Sequence, residues 1–354
     1  MVDLSKLKPF PGARANRSHL TELTGFGPNP GALRGYLYIP ASLRPVAALV
    51  VVLHGCTQDA AGYDAGTGWS TLAEREGFAL VLPEQGRGNN PNGCFNWFEP
   101  ADIARVGGEA ESIAAMVQAA VAGHGIDRNR IFVTGLSAGG AMTAVMLATY
   151  PDLFAGGAII GGLPYGRASG VPEALALMRG RSGDAAGLAA SVRSAAGGHD
   201  GAWPSVSVWH GSADRTVDVA NMDAIGAQWL GVHGVDPTVC EIESGSGWTR
   251  RIWRGADGRV AVEDWRVDRM GHGVPIDPSG PDRLGAAGPY MLDVGLSSTA
   301  EIARSWGLLT QAGAVGREPA TSARPRPTAA PPANDPTYVG QVIEDALRAA
   351  GLMR

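Results

Sequence analysis

Lysine is almost missing from this chain: Lys6 and Lys8 are the only two among 29 basic residues, which face 34 acidic ones. A formal net charge of −5 offers no basic surface to a nucleic acid or an anionic membrane. The arginine bias is read as composition, with no arginine-specific role attached. Cysteine is scarce too. Cys56, Cys94 and Cys240 stand at no metal-ligand spacing and allow at most one disulfide. No apolar run approaches the length of a transmembrane span. Met1 to Arg17 lacks the apolar centre of a signal peptide, so the chain as written reads as cytoplasmic or as separated from its leader.

What is abundant is glycine, 51 residues, with 24 prolines and no repeat period, which indicates many loops rather than a fibrous chain. An apolar fraction of 45% can supply a full core, and 354 residues suit either two domains or one long α/β domain. The pattern favours the latter. Arg34 to Pro40 alternates as an early strand, and Val46 to Leu53 is a continuous apolar run of the kind expected in a parallel strand buried on both faces. A short helix over Trp69–Glu76 and a strand over Phe78–Pro83 follow. A long aromatic-rich loop then spans Glu84 to Val106, and a helix is expected over Gly108–Gly123. Further strands are expected at Arg130–Val133, Gly156–Ile160 and Ser205–Asp214, and further helices at Ala141–Tyr150, Ala220–His233 and Ile302–Leu309. Arg250 to Trp265 reads as a hairpin around Asp257-Gly258. Alternating strands and helices predict a doubly wound, mostly parallel α/β sheet. Residues 166–203, rich in Ala, Gly, Ser and Arg, are expected to form a lid-like insertion over the strand edge. The catalytic domain is expected over 1–315. A Pro/Ala-rich linker over 316–336 then leads to an amphipathic helix over 337–354.

Within this frame one stretch carries chemistry. Thr134-Gly135-Leu136-Ser137-Ala138-Gly139-Gly140 lies between a strand and a helix, the context that makes Gly-x-Ser-x-Gly a nucleophile elbow. The sharp turn leaves no room for side chains beside Ser137, and the helix start behind it favours developing negative charge. On this scaffold the chain order is Ser, then Asp or Glu, then His. Two histidines qualify by position. His233 ends a helical pattern before Gly234, where a cation is structurally expected. His272 sits in a Gly-flanked late loop and is the favoured base. Asp214 follows a buried strand and is the favoured acid; Asp218 is the fallback, with an alternative role as a helix N-cap. An oxyanion hole needs two backbone donors. Ala138 supplies one, and the turn His54-Gly55-Cys56-Thr57-Gln58 after the strong strand supplies the other at Cys56. His54 is expected to brace that turn rather than to act in catalysis.

These residues carry a family resemblance. Leu53 to Gln58, Cys94-Phe95-Asn96-Trp97-Phe98, Gly135 to Gly140, His210-Gly211-Ser212-Ala213-Asp214 and Gly271-His272-Gly273 together resemble the esterase/polyhydroxybutyrate depolymerase family of α/β-hydrolases, related to feruloyl and acetyl xylan esterases. The resemblance spans roughly residues 35–310. It implies a Ser137/Asp214/His272 triad with Cys56 and Ala138 as oxyanion donors. It also implies a Cys56–Cys94 disulfide and Trp97 along the substrate groove; as a residue alone, Trp97 reads equally as a core aromatic. Secretion is the family pattern, and polymer-degrading members often add a substrate-binding domain after a linker, where this sequence places one helix. The expectation is a serine carboxylic-ester hydrolase working through an acyl-enzyme without metal or organic cofactor. Its partner is an ester or polyester substrate, with no nucleic acid and no membrane. Short-chain 3-hydroxybutyrate esters or oligomers are the preferred substrates, and feruloyl or acetyl xylan esters the second choice. A non-catalytic ester- or glycan-binding protein is the rival of another class.

Overall fold

A computed structural model describes residues 19–181 and 186–309. In chain order the elements are β1 (Thr21–Leu23), β2 (Arg34–Tyr38), β3 (Ala47–Leu53), α1 (Ala60–Thr67), α2 (Trp69–Glu76), β4 (Ala79–Glu84) and α3 (Glu109–Gly123). The middle of the chain forms β5 (Ile126–Leu136), α4 (Ala138–Thr149), β6 (Gly156–Ile160), α5 (Val171–Met178), α6 (Ala186–Ala195), β7 (Ser205–Gly211) and α7 (Ala220–His233). It ends with β8 (Glu241–Gly245), β9 (Trp248–Arg254), β10 (Val260–Val267), β11 (Val274–Ile276), β12 (Met291–Asp293) and α8 (Ser298–Ser305).

Ten strands form one sheet in the order β1-β2-β4-β3-β5-β6-β7-β10-β9-β8. The strands from β4 through β10 run parallel to one another, and antiparallel pairs close both ends. β11 and β12 form a small parallel pair of their own. The apolar run of β3 is explained by its place near the middle. Leu49, Val51 and Leu53 pack with Ile113, Met116 and Val117 of α3 and Met142 and Val145 of α4. Ala48, Val50 and Val52 face the other way, with Trp69 and Leu72 of α2 and Ile302 of α8. Both faces are covered, so every position must be apolar; full burial of each such side chain contributes about 1.5–3 kcal/mol.

The structure departs from the sequence reading where apolar periodicity is weak. Helix α1 has no apolar stripe to announce it. It is held instead by Asp59, which accepts the Gly62 N–H at 2.8 Å, and by Glu84, which accepts the Ala60 N–H at 3.0 Å. Strand β8 is exposed along its whole length and pairs with β9 through ion pairs, Arg254 with Glu241 and Arg250 with Glu243. Helix α8 begins at Ser298, four residues before the expected Ile302, because Ser297 caps it by accepting the Ala300 N–H. Helix α4 starts at Ala138 rather than Ala141, directly behind the serine.

The described part of 166–203 folds into α5 and α6. Helix α6 buries Leu188 and Val192 and packs on α7 and α4. The expected linker over 316–336 and helix over 337–354 lie outside the described residues.

Candidate active site

Strand β5 lies between β3 and β6 and delivers Ser137 at its C-terminal end. Ser137 adopts φ 58° and ψ −117°, a conformation that costs a non-glycine residue about 1–3 kcal/mol and persists only where its surroundings enforce it. Its N–H donates to Ile160 O at 2.9 Å, and its carbonyl accepts the Ala141 N–H at 2.8 Å. The glycines around it are there for clearance. A Cβ on Gly135 would lie 2.5 Å from the Gly139 carbonyl carbon, and one on Gly139 would collide with Leu53 O and His54 O. The start of α4 is therefore pressed onto the turn after β3, and Ala138 and Cys56 belong to adjoining segments.

The turn from His54 to Gln58 is tied down at almost every backbone group. The Gly55 N–H donates to Gln58 Oε1 at 2.8 Å, the Gln58 N–H to Gly55 O at 3.3 Å, and the Thr57 N–H to Asn92 O at 2.7 Å. Among the described residues no acceptor takes the N–H of Cys56 or of Ala138. Cys56 and Cys94 form a disulfide with Cα atoms 4.2 Å apart, which fastens the long 85–108 loop to this turn. His54 is fully buried, and burial lowers its pKa, so the ring is neutral. Its Nε2 accepts the Gln85 N–H at 3.1 Å, so Nδ1 carries the proton and donates to Gly55 O at 2.8 Å. The imidazole braces the turn.

Asp214 follows β7, and His272 comes from the loop before β11. Their contact, His272 Nδ1 to Asp214 Oδ2, is 2.7 Å, and both side chains are nearly inaccessible, 7% for His272 and 1% for Asp214. Asp214 Oδ1 accepts the Thr216 and Val217 N–H groups, each at 2.9 Å, which pins the carboxylate. Burial opposes its ionisation, but His272 and His210 outweigh burial and hold the carboxyl well below the usual range. His210, on β7, places Nε2 3.4 Å from Asp214 Oδ2 and donates to Val217 O at 2.8 Å.

Ser137, His272 and Cys56 line one pocket. Its wall also includes Thr57 of the same turn, together with Asn92, Thr216 and Tyr290, for which sequence patterning assigns no role. Tyr290 holds φ 64° and sets its ring edge-on to His272 at 6.3 Å. It follows a proline in a loop without apolar period, so no sequence signal marked it. Trp97 is elsewhere. It is 8% exposed, packs edge-on to Phe98 at 5.3 Å, belongs to the core beside α3 and α4, and is absent from the pocket wall. The competing candidates are also spoken for: His233 Nε2 donates to Pro204 O at 3.1 Å, and Asp218 accepts the Ala220 N–H at the start of α7. No described residue of 166–203 lines the pocket. Among the described residues no cluster of His, Cys, Asp and Glu could hold a metal, and no helix is long and apolar enough to cross a membrane.

A mixed, mostly parallel sheet covered on both faces, with a serine elbow at the end of its central strand, defines an α/β-hydrolase. A solved acetyl xylan esterase from Aspergillus awamori superposes with a TM-score of 0.70 at 26% identity, covering 82% of this chain and 99% of that one. The family described as Esterase PHB depolymerase matches residues 33–250. Poly(3-hydroxyalkanoate) depolymerase C of Paucimonas lemoignei is 44% identical over 292 residues, 82% of this chain and 70% of that protein. Feruloyl esterase B of Talaromyces stipitatus is 32% identical, covering 73% of this chain and 74% of that protein. The chain belongs to the Esterase PHB depolymerase family and is a carboxylic-ester hydrolase.

Proposed function

We propose that the protein hydrolyses short-chain polyhydroxyalkanoate esters or oligomers, with 3-hydroxybutyrate as the acyl unit, through an acyl-enzyme on Ser137. The observation that carries this reading is the 2.7 Å contact of His272 with the buried Asp214, behind the pocket that Ser137 and His272 line. The Ser137 Oγ attacks the ester carbonyl carbon while His272 Nε2 takes the hydroxyl proton. Asp214 accepts from Nδ1–H, which fixes the tautomer and stabilises the imidazolium that forms. The N–H groups of Cys56 and Ala138, unclaimed by the fold, hold the oxyanion. Collapse breaks the ester C–O bond, and the alcohol leaves with the proton from His272. Water, deprotonated by the same imidazole, then releases the acid. The pinned, low-pKa Asp214 stays ionised throughout. No residue needs a metal or organic cofactor for these steps.

The acyl preference rests on the 44% identity to a poly(3-hydroxyalkanoate) depolymerase. A second reading, feruloyl or acetyl xylan esters, is favoured by the likeness to the acetyl xylan esterase structure and the feruloyl esterase. A panel of hydroxybutyrate oligomers, methyl ferulate and acetylated xylan separates the two by kcat/KM. Ser137→Ala is expected to lower hydrolysis of a short p-nitrophenyl ester by at least about 10⁴-fold with the fold retained. Retained turnover overturns the triad, and failure of a phosphonate to label Ser137 in the unaltered protein would point to the non-catalytic binder instead.

A further inference from the structure

The residues that line the pocket divide by what holds them. Cys56, Thr57 and Gln58 belong to the turn after β3, and Asn92 is tied to it through the Thr57 N–H. Thr216 and Tyr290 are attached instead to the dyad. The Thr216 N–H donates to Asp214 Oδ1 at 2.9 Å, and the Tyr290 ring stands 6.3 Å from that of His272 at an angle of 79°. The chemistry gives this second group a neighbour. A leaving alcohol takes its proton from His272 Nε2, so its oxygen and the carbon that bears it must lie beside that imidazole.

The fold holds Tyr290 there in a strained conformation. His272 stands just before β11 and Tyr290 just before β12, and the two strands pair with Val274 opposite Met291. The Val274 N–H donates to Tyr290 O at 2.7 Å. Gly288 and Met291 exchange N–H···O bonds of 3.2 and 3.0 Å, closing a turn with Pro289 and Tyr290 at its corners. A second corner with a φ of 64° favours glycine or asparagine, and a bulky side chain there is an outlier. The preceding loop is fastened as well. Leu284 is buried, the Ala286 N–H donates to Gly66 O at 3.0 Å, and a Cβ on Gly285 would collide with the same carbonyl. A tyrosine kept at a glycine position, against the catalytic base and in the pocket wall, points to a use for its ring.

We propose that Tyr290 is the specificity-determining residue for the leaving alcohol, its ring packing on the carbon-bound hydrogens of an aliphatic or sugar alcohol while His272 protonates the oxygen. This rests on the reading of Ser137 as the nucleophile and adds the alcohol side, which the acyl preference does not define. Two sources share the chemistry: the next 3-hydroxyalkanoate unit of a polyester, and a sugar ring of an esterified glycan. The same subsite serves in reverse. An alcohol attacking the acyl-enzyme gives its hydroxyl proton to His272 Nε2 as its oxygen bonds the acyl carbon, and Ser137 Oγ leaves with that proton.

The test divides one acyl-enzyme, formed from p-nitrophenyl butyrate, between water and an added alcohol, either ethyl 3-hydroxybutyrate or methyl β-xyloside. The ratio of new ester to butyrate reads the alcohol side alone, because the acyl group is constant. Tyr290→Gly, which suits the turn, is expected to lower that ratio about five- to tenfold for the preferred alcohol. Deacylation by water should stay within a factor of two, and the thermal midpoint should not fall. Tyr290→Phe should keep the ratio. Should Tyr290→Gly fail to fold, Tyr290→Asn carries the same expectation. An unchanged ratio, an equal loss of alcoholysis and hydrolysis, or a loss in Tyr290→Phe as large as in Tyr290→Gly each overturns the proposal. So does an unaltered enzyme in which neither alcohol competes with water. Preference for the xyloside supports the subsite and overturns the hydroxyalkanoate reading instead. If no butyryl group is found on Ser137 of the unaltered protein, the reading of Ser137 fails first, and the proposal with it.

Discussion

Asp214 and His272 meet at 2.7 Å across 58 residues of sequence, and the same Asp214 carboxylate lies 3.4 Å from a second histidine, His210. Two strand ends of one parallel sheet make this possible. β7 pairs with β10 in register, so the loops leaving their C-terminal ends, one holding Asp214 and the other His272, rise side by side. The Asp214 and Ala213 segment is further sewn to the second loop, since the Ala213 N–H donates to Met270 O at 3.0 Å.

Asp214→Asn is expected to lower kcat by about 10³–10⁴-fold with little change in KM, because the amide leaves His272 in the wrong tautomer. The pH dependence follows from the sign of the shift. His272 and His210 depress the folded-state pKa of Asp214 against its burial, so the stability it contributes is present above the ordinary carboxylate range and is lost as pH falls through the depressed value. The difference in thermal midpoint between the unaltered protein and Asp214→Asn should therefore be full at neutral pH and shrink below about pH 4. A difference that grows on acidification would show that the carboxylate is not the stabilised form.

Gly139→Ala tests why the elbow needs its second glycine. The added methyl would collide with the carbonyls of Leu53 and His54, which are backbone and cannot swing aside. Either α4 or the turn after β3 must retreat. The expected cost is about 1–3 kcal/mol of stability, read from urea unfolding, with kcat falling more than KM changes because Ser137, Ala138 and Cys56 move apart. A fully active, equally stable variant would contradict the close approach.

How much of this was legible beforehand depends on what each feature leaves in the sequence. β3 is buried on both faces and so reads as an unbroken apolar run; Ser137, Asp214 and His272 sit at strand ends or beside glycines, positions that the chain order of a hydrolase sheet makes searchable. Helices α2 and α7 matched the expected bounds residue for residue. By contrast α1 is stabilised by Asp59 and Glu84, and β8 by arginine–carboxylate pairs, and neither device has a period. Tyr290 and Thr216 reach the pocket from loops whose path only the tertiary fold decides. Trp97 shows the opposite limit. The resemblance implies a groove position and the residue alone reads equally as core; Phe95, Asn96 and Trp97 are all buried, a depth that the aromatic cluster in the sequence leaves open.

Removing the Cys56–Cys94 bridge by the double Cys→Ser substitution should lower stability by about 4 kcal/mol, the chain-entropy value for a closed loop of 38 residues. Urea unfolding measures this directly. Activity should fall as well, and by a larger factor than for bridges remote from a site, because Cys56 is held by that bond on one side. Reductant added to the unaltered protein should reproduce both losses; unaffected turnover in the reduced enzyme would show that the His54 side alone suffices to hold the turn.

Glu109 offers a titration of the scaffold rather than of the chemistry. Burial, then the neighbouring Asp102, push its carboxyl up to about 8, against the pull of the Asn96 N–H, Gln85 and Asn89. A folded-state pKa raised above the unfolded one contributes stability that is complete at low pH and is lost as pH rises through the folded value. The thermal midpoint should accordingly decline from mildly acid pH to about pH 8, and Glu109→Gln should flatten that decline while lowering stability at acid pH, where the protonated carboxyl is best accommodated. Because Glu109 lines no part of the pocket and reaches the turn after β3 at second hand, through Gln85, its substitution should move kcat far less than Asp214→Asn. Parallel slopes of thermal midpoint against pH in the two proteins would show that Glu109 stays ionised and that its three donors, not burial, set its charge.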